Sequence, residues 1–169
     1  MKLRYISAIA VAALVGVTTL PLATAATPTV SATVKAQLIY LVQEEKLARD
    51  IYAALAKTTS INKFANITKS EQTHMDQIRV LLKTYGIKDP TLTLKAGVFV
   101  DKNLTALYKT LMTKAALSSA DAIAVGVLIE QTDLADLAKL SKSVTQADIK
   151  LVIASLVKGS ENHLAAFSR

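Results

Sequence analysis

The sequence contains no cysteine, no tryptophan and only two histidines among its 169 residues. Without cysteine the chain forms no disulfide, so its fold depends on packing, and it cannot carry a cysteine-linked lipid anchor. Aromatic residues make up only 5% of the chain, and the basic residues behind its net charge of +7 are dispersed rather than arranged in a stripe. No nucleic-acid-binding motif is recognisable either, so nucleic acid is not expected to be a partner.

Long hydrophobic runs are also scarce. The one exception extends from Tyr5 to Leu22 and follows a short basic N-terminal segment that contains Lys2 and Arg4. Ala23-Thr24-Ala25 follows, a small-x-small pattern that signal peptidase cuts, so residues 1–25 are predicted to be a secretory signal peptide. A retained membrane anchor is the alternative, but the run is marginal in length and contains Pro21. We expect residues 26–169 to form one exported domain, periplasmic or extracellular, without membrane contact after cleavage.

The composition of that domain predicts an all-α fold. Alanine, leucine and lysine are abundant, and Pro28 and Pro90 are its only prolines. The first long helix is predicted to run from about Ser31 to about Lys57, and the second to stop at Gly86. Four long helices show inward-facing stripes at spacings of three and four residues. These stripes are Leu38, Leu41, Glu45, Ala48, Tyr52 and Leu55; Phe64, Ile67, Glu71, His74, Ile78 and Leu81; Ile123, Val127, Glu130, Leu134 and Leu137; and Ile149, Ile153, Leu156, Ser160, His163 and Phe167.

The order of the helices predicts how they are connected. A long connection over residues 86–118 separates the second long helix from the third and holds a shorter helix around residues 104–115. Ser118 with Asp121 forms a capping box that opens the third long helix, and Thr145 with Asp148 is expected to open the fourth in the same way. A hairpin, a long connection and a second hairpin predict a four-helix bundle with one long crossover that contains a short extra helix.

Each stripe is apolar except near its middle, where residues that bind metals occur. They are Glu45 on the first helix, Glu71 and His74 on the second, Glu130 on the third and His163 on the fourth. Burying a carboxylate costs several kcal/mol unless it is paired or coordinates a cation. Several carboxylates meeting two imidazoles in one core therefore predict a site for divalent metal ions.

The depth of these residues in the bundle follows from the helical rise of about 1.5 Å per residue. In the first hairpin, Glu45, Glu71 and His74 all fall at one level. In the second hairpin, Glu130 and His163 are offset by roughly 8 to 13 Å if the turn is tight and centred near residue 142. Either that loop is not tight, or His163 does not reach the layer of Glu130.

The motifs resemble those of a known superfamily. EEKLARDIY, which contains Glu45, resembles the Glu-x-x-Ala-Arg-x-x-Tyr pattern of rubrerythrins, and Glu71-Gln-Thr-His74 is similar to the Glu-x-x-His motif of the ferritin-like superfamily. With VGVLIEQTDLADL and GSENHLAAF, they resemble most closely an uncharacterised prokaryotic family of ferritin-like domains. The resemblance implies a carboxylate-bridged site for two ions, iron or manganese, in which Glu45 and Glu130 are single carboxylates and Glu71 with His74 forms the first pair.

The fourth helix departs from that pattern. The resemblance places a second Glu-x-x-His there, but this chain has Ser160-Glu161-Asn162-His163, so a serine stands where a carboxylate is expected. The loss would weaken one metal position and leave one or two ions bound. Asp133, three residues after Glu130 and near the same face, is a candidate replacement.

Other interpretations of the same residues remain open at this point. Glu71 would be a helix cap if the second helix began at Thr68, and Glu45 would be a surface partner of Arg49 at i, i+4. The two histidines would be ordinary core residues if each bonded a carbonyl oxygen. Tyr52 is expected to pack in the core, with a hydroxyl that can bond a ligand carboxylate.

Together with the signal peptide, the resemblance implies an exported ferritin-like protein that binds one or two ions of iron or manganese in the bundle core, with redox chemistry toward oxygen or peroxide. The alternative is a non-catalytic bundle with a degenerate metal site, which acts as a structural or interaction module. Metal buffering without catalysis is a third possibility. Metal ions are the only partners that the sequence indicates, and the chain is expected to be a monomer or homodimer.

Overall fold

The computed structural model describes residues 27–169, which fold into five α-helices and contain no strand. The helices are α1 (Ala32–Thr58), α2 (Lys63–Thr84), α3 (Lys102–Ala115), α4 (Ser119–Ser143) and α5 (Ala147–Phe167). The prediction of an all-α fold is confirmed, and α3 is the short helix expected in the long connection. The predicted signal peptide lies outside the described residues. Within residues 27–169 no helix has the length and apolarity needed to cross a membrane.

Most helix ends lie where the sequence predicts them. The Ser31 hydroxyl accepts a hydrogen bond from the Val34 amide at the start of α1, and the Ser118 hydroxyl accepts one from the Asp121 amide at the start of α4. After α2 the chain turns at Gly86, whose φ of 62° is costly for any residue with a Cβ. The amides of Gly86 and Ile87 bond the carbonyls of Lys83 and Leu82, a Schellman motif that ends the helix.

The predicted capping box of α5 is wrong. Gln146, not Thr145, is the residue that precedes the helix, and its side chain makes no capping hydrogen bond. The Asp148 carboxylate instead accepts a hydrogen bond of 2.7 Å from the Tyr85 hydroxyl at the end of α2. The Asp148 side chain therefore makes a tertiary contact with α2 in place of the capping contact that the local motif predicts.

The long helices contact one another in a ring. α1 packs against α2 and α4, and α5 packs against α4 and α2, while α3 lies against α1 and α4. Short connections of three or four residues join α1 to α2, α3 to α4 and α4 to α5. Residues 85–101 form the one long connection, and they bring α3 to the side of the bundle formed by α1 and α4.

Two apolar clusters fill the core, one toward each end of the bundle. The first includes Tyr52, Phe64 and Phe167, whose ring centroids lie 5.5 to 5.8 Å apart. The second includes Leu38 and Leu156. On each of the four long helices, buried polar residues lie between the two clusters. The five predicted ligands therefore share one polar layer enclosed by two apolar ones.

Three of the four predicted stripes are confirmed, because every stripe residue on α1, α2 and α5 is buried. The stripe on α4 is partly wrong, since Ile123, Val127 and Leu134 are only half-buried. α4 carries apolar residues on nearly all sides, so their spacing alone allows more than one buried face. The buried residues of α4 are Ala122, Val125, Gly126, Ile129, Glu130, Asp133, Leu137 and Leu140.

A buried ion pair attaches the long connection to α1. Lys46 and Asp50 are 1% and 3% exposed at their side chains, and their charged atoms lie 2.5 Å apart. The Lys46 ammonium also donates to the carbonyl of Lys95, and the Gly97 amide donates to Asp50. Because both charges have protein partners, this pair holds the connection in place at a position where a lone charge would be costly.

Candidate metal centre

The five predicted ligand side chains converge in the polar layer. They form two groups, Glu45 with Glu71 and His74, and Glu71 with Glu130 and His163. Within each group, one ligand atom from each residue lies within 4.8 Å of the others. Two ligands on opposite sides of one transition-metal ion are about 4 Å apart, so each group has roughly the dimensions of an ion's coordination shell.

Glu71 belongs to both groups and lies between the two imidazoles. Its Oε2 is 2.9 Å from Nδ1 of His74, and its Oε1 is 3.0 Å from Nδ1 of His163. The two histidine rings are stacked, with centroids 5.5 Å apart. One carboxylate thus presents a different oxygen to each half of the cluster, the geometry of a bridging ligand.

The outer carboxylates complete the two halves. Oε2 of Glu45 lies 3.3 Å from Nδ1 of His74, and Oε2 of Glu130 lies 3.5 Å from Nδ1 of His163. None of the five side chains is more than 9% exposed. All of these nitrogen and oxygen atoms therefore face one another in a nearly dry interior.

The sequence left open whether His163 reaches the layer of Glu130, and the structure shows that it does. α4 ends at Ser143 and α5 begins at Ala147, so the turn is centred near residue 145 rather than 142. Glu130 and His163 are then about 15 and 18 residues from the turn, an offset of roughly 5 Å along the helices. The length of the two side chains covers that offset.

Two of the alternative interpretations are wrong, that of Glu71 as a helix cap and that of Glu45 as a surface partner of Arg49. α2 begins at Lys63, and the Thr68 hydroxyl donates to the carbonyl of Phe64, so Thr68 lies inside the helix and Glu71 is no cap. Arg49 donates to Asp50 and Gln72 and not to Glu45, which points into the core. Both glutamates are therefore interior groups.

Asp133 lies beside the cluster but belongs to neither of the two groups. Its Oδ2 accepts a hydrogen bond of 2.6 Å from the hydroxyl of Ser160. The serine that replaces the expected carboxylate on α5 is therefore paired with a carboxylate supplied by α4. A direct ligand role for Asp133 stays a prediction.

Two further residues shape the site, Tyr52 and Gly159. The Tyr52 hydroxyl, fully buried, donates to Oε1 of Glu130 at 2.7 Å, the carboxylate contact that the sequence allowed. Gly159 on α5 lies directly against the His74 ring, and a Cβ there would be 2.5 Å from Cε1 of the imidazole. Sequence reasoning missed Gly159, because nothing along the chain shows which ring faces a helical glycine.

Burial is the largest single effect on the pKa of each shifted group in the cluster, although for two of them the neighbouring charges together exceed it. It raises the pKa of Glu45 well above the usual value, helped by the nearby carboxylates of Asp133 and Glu71. It also raises the pKa of Asp133 to about 6 and that of Glu130 to about 7. For Glu71 burial acts in the same upward direction, but the two imidazoles outweigh it and lower the pKa. For His163, burial lowers the pKa, but Glu130 and Glu71 outweigh it and raise the value to about 10.

Several buried atoms of the cluster have no hydrogen-bond partner. They include Oε1 of Glu45, Oε1 of Glu71, Nδ1 of His163 and Oδ1 of Asp133. Nδ1 of His163 and Oε1 of Glu71 are only 3.0 Å apart, yet they are not aligned for a hydrogen bond. Buried polar atoms are normally satisfied, and orphaned ligand atoms that converge are what an ion would require. The residues therefore fit a divalent metal ion.

Comparison with known proteins shows a family match, a relative and a solved structure that resemble this chain. Residues 34–169 match the model of DUF2202, an uncharacterized protein domain. The chain is 45% identical over 135 residues to the uncharacterized protein MJ0754 of Methanocaldococcus jannaschii, covering 80% of this chain and 73% of that protein. It is also similar to the crystal structure of that hypothetical protein, with a TM-score of 0.81 and 42% identity over 85% of this chain and 82% of the other.

Proposed function

Because this chain belongs to the DUF2202 family of uncharacterized domains, we propose its function from its own site: it binds two divalent transition-metal ions, iron or manganese, in its helical core. The observation that carries the proposal is the position of Glu71, which offers one oxygen to each of two overlapping ligand groups. A single-ion site would need only one of those groups.

The proposed fold type is a ferritin-like bundle. Its support is the ring of contacts among α1, α2, α4 and α5, with a ligand residue from each helix in one layer. Such bundles hold metals with inward-facing carboxylates and Glu-x-x-His pairs. Ser160 is the point of departure, since it removes one carboxylate and leaves Glu71 as the one proposed bridge.

The proposed roles of the residues follow from their distances. Glu45 and His74 would hold one ion, Glu130 and His163 the other, and Glu71 both. Iron or manganese held in this way would supply one-electron redox chemistry toward dioxygen or peroxide. Tyr52 keeps Oε1 of Glu130 engaged and leaves Oε2 directed at His163. The apolar clusters on both sides exclude water, which strengthens every charge interaction in the layer.

The alternative of a non-catalytic structural module would need the polar core to satisfy itself with hydrogen bonds and ion pairs. The Tyr52 and Ser160 hydroxyls do satisfy one oxygen each of Glu130 and Asp133. The Oε1 atoms of Glu45 and Glu71 weigh against this reading, because neither has a hydrogen-bond partner in the described part of the chain. Metal buffering would use the same site without redox turnover.

Metal binding is tested by titrating ferrous or manganous ion without oxygen into the metal-free protein and measuring bound metal per chain. We expect about two ions per chain for the unaltered protein, about one for Glu45→Gln or Glu130→Gln, and less than one for Glu71→Gln, since only Glu71 serves both halves. Glu161→Gln is the matched control, because this exposed glutamate lies next to Ser160 but outside the cluster.

Admitting air to the ferrous protein then separates redox activity from buffering. Rapid oxidation supports a redox site, whereas stoichiometric ferrous ion that stays reduced supports a buffer. A melting temperature that ignores iron, manganese and zinc, with no metal retained, would contradict both and favour the structural module.

Export remains part of the proposal and has a simple test. The full sequence is expressed with a C-terminal tag, and the N-terminus of the exported protein is read by mass spectrometry. We expect it to begin at Ala26. A chain that keeps residues 1–25 and stays with the membrane would support the anchor instead.

A further inference from the structure

A cavity of about 200 Å³ leads from the surface to the carboxylates of the candidate metal centre. It lies between α1, α3 and α4 and ends at Glu45, Glu71, Glu130 and Asp133. The proposed metal-binding role does not account for it, because the ligands need no space of this size beside them.

The helix α3 forms the outer wall of the cavity. Leu104, Leu107 and Leu111 all line it, and their spacing puts them on one face of the helix. Leu104 and Leu111 are 2% and 4% exposed, whereas Leu107 between them is 38% exposed. A leucine in the middle of a buried face stays exposed when no side chain packs beneath it. Leu107 and the exposed Leu128 of α4 therefore mark the mouth of the cavity.

The chemistry of the walls limits what can bind. Leucine, isoleucine and alanine side chains make up most of the walls, which also include Thr132 and the half-buried Glu44, and the carboxylates of Glu45, Glu71, Glu130 and Asp133 stand together at the inner end. The apolar side chains that form most of the walls give no partner to a charged group, and the carboxylates in the lining repel an anion. An engineered cavity of about 150 Å³ with wholly apolar walls accepts benzene, so a volume of about 200 Å³ has room for one ring or a short aliphatic chain.

The geometry points to a binding site for one small uncharged apolar molecule, whose inner end lies against the carboxylate cluster and whose outer end is held by α3. This inference deepens the proposed function and rests on it only for what the inner end faces, which would be the metal ions. The molecule would then be the substrate or effector of that centre. Its class is a monocyclic or short aliphatic compound without charge.

The test uses benzene as the probe and benzoate as its charged counterpart of similar size. Each is titrated into the purified metal-free protein while the methyl signals of isotopically labelled leucines are followed by NMR. Saturable benzene binding that shifts Leu104, Leu107 and Leu111, with no binding of benzoate, is the expected result. Equal binding of the two probes would overturn the uncharged class, and no saturable binding of benzene would overturn the site.

Two variants locate the bound probe. Leu107→Trp places a large ring at the mouth, and Ala48→Leu adds volume at the inner wall. Each is expected to weaken benzene binding by at least about tenfold. Leu151→Trp is the matched control, because Leu151 is 73% exposed on α5 and lies outside the cavity. If Leu151→Trp weakens binding as much as Leu107→Trp does, the probe binds elsewhere and the inference is wrong.

Uptake of manganous ion is measured by titration on separate portions of the same metal-free preparations, so that the two proposals fail separately. Uptake of two ions per chain without benzene binding would overturn this inference and leave the metal site standing. Benzene binding by a chain that takes up no manganous ion would overturn the proposed function and leave the apolar site standing. Variants that no longer melt cooperatively are replaced by Leu128→Trp, which alters the other exposed residue at the mouth.

Discussion

Ser160 and Asp133 illustrate how one substitution is absorbed at the scale of single residues. A serine side chain is too short to reach a bridging position, and its hydroxyl donates instead to Oδ2 of Asp133 on the neighbouring helix. This hydrogen bond favours the charged carboxylate and partly opposes the upward effect of burial on its pKa. The acidic character of the layer is thus retained with fewer groups free to bridge.

Gly159 is the residue whose replacement gives the most specific prediction. In Gly159→Ala the new Cβ would overlap the His74 ring, which must rotate away from Glu45 and Glu71. We expect metal affinity to fall by about 10- to 100-fold, the usual effect of disturbing a ligand's support. Metal titration of the purified variant measures it.

Gly126→Ala is the control for that variant. Its Cβ would lie 2.8 Å from the ring of Phe167, so it crowds the core to a similar degree without touching a proposed ligand. Both variants should lose about 1 to 3 kcal/mol in the free energy of unfolding. Equal metal affinity in the two would show that His74 is not held through Gly159.

At the scale of elements, α1 has two roles on different faces. One face supplies Glu45 to the polar layer, and another uses Lys46 and Asp50 to hold the connection between α2 and α3. Because α3 follows directly on that connection, the buried ion pair also positions the wall of the cavity. The site and the helix that covers it are therefore anchored to the same turn of α1.

Removing one member of this pair should be costly. Asp50→Ala leaves the Lys46 ammonium buried without its carboxylate and frees the Gly97 amide, so we expect a loss of about 3 to 5 kcal/mol in the free energy of unfolding. Denaturant unfolding measures the loss, and hydrogen exchange should show reduced protection of the Gly97 amide. Asp76→Ala, at an exposed aspartate paired with Arg79, should cost no more than about 1 kcal/mol.

The whole molecule places charge between two apolar clusters, which makes the metal-free protein sensitive to pH. Burial raises the pKa of Glu45, Glu130 and Asp133 above their unfolded values, so the protonated forms stabilise the fold at low pH. That stability is lost as pH rises through the folded values of about 6 and 7. The raised pKa of His163 acts in the same sense, because its contribution is lost as pH rises toward about 10. Glu71, with a lowered pKa, acts oppositely, and its contribution is lost only as pH falls well below neutrality.

We therefore expect the melting temperature of the metal-free protein to fall between about pH 5 and pH 8. Bound metal should remove or reverse this dependence, because a cation replaces the protons on the carboxylates. Calorimetry across that range, with and without manganous ion, measures both curves. A metal-free melting temperature that rises steadily over the range would contradict the assignment of buried, proton-binding carboxylates.

The sequence by itself determined the helices, three of their four buried faces and the identity of the five residues in the polar layer. These depend on the 3.6-residue period and on capping residues, which are local properties of the chain. Only the tertiary structure decided which oxygen of Glu71 faces which imidazole, how α4 is rotated, and that Asp148 bonds Tyr85 rather than capping α5. Each of these depends on the rotation and axial shift of one helix against another, and helical periodicity carries no information about either.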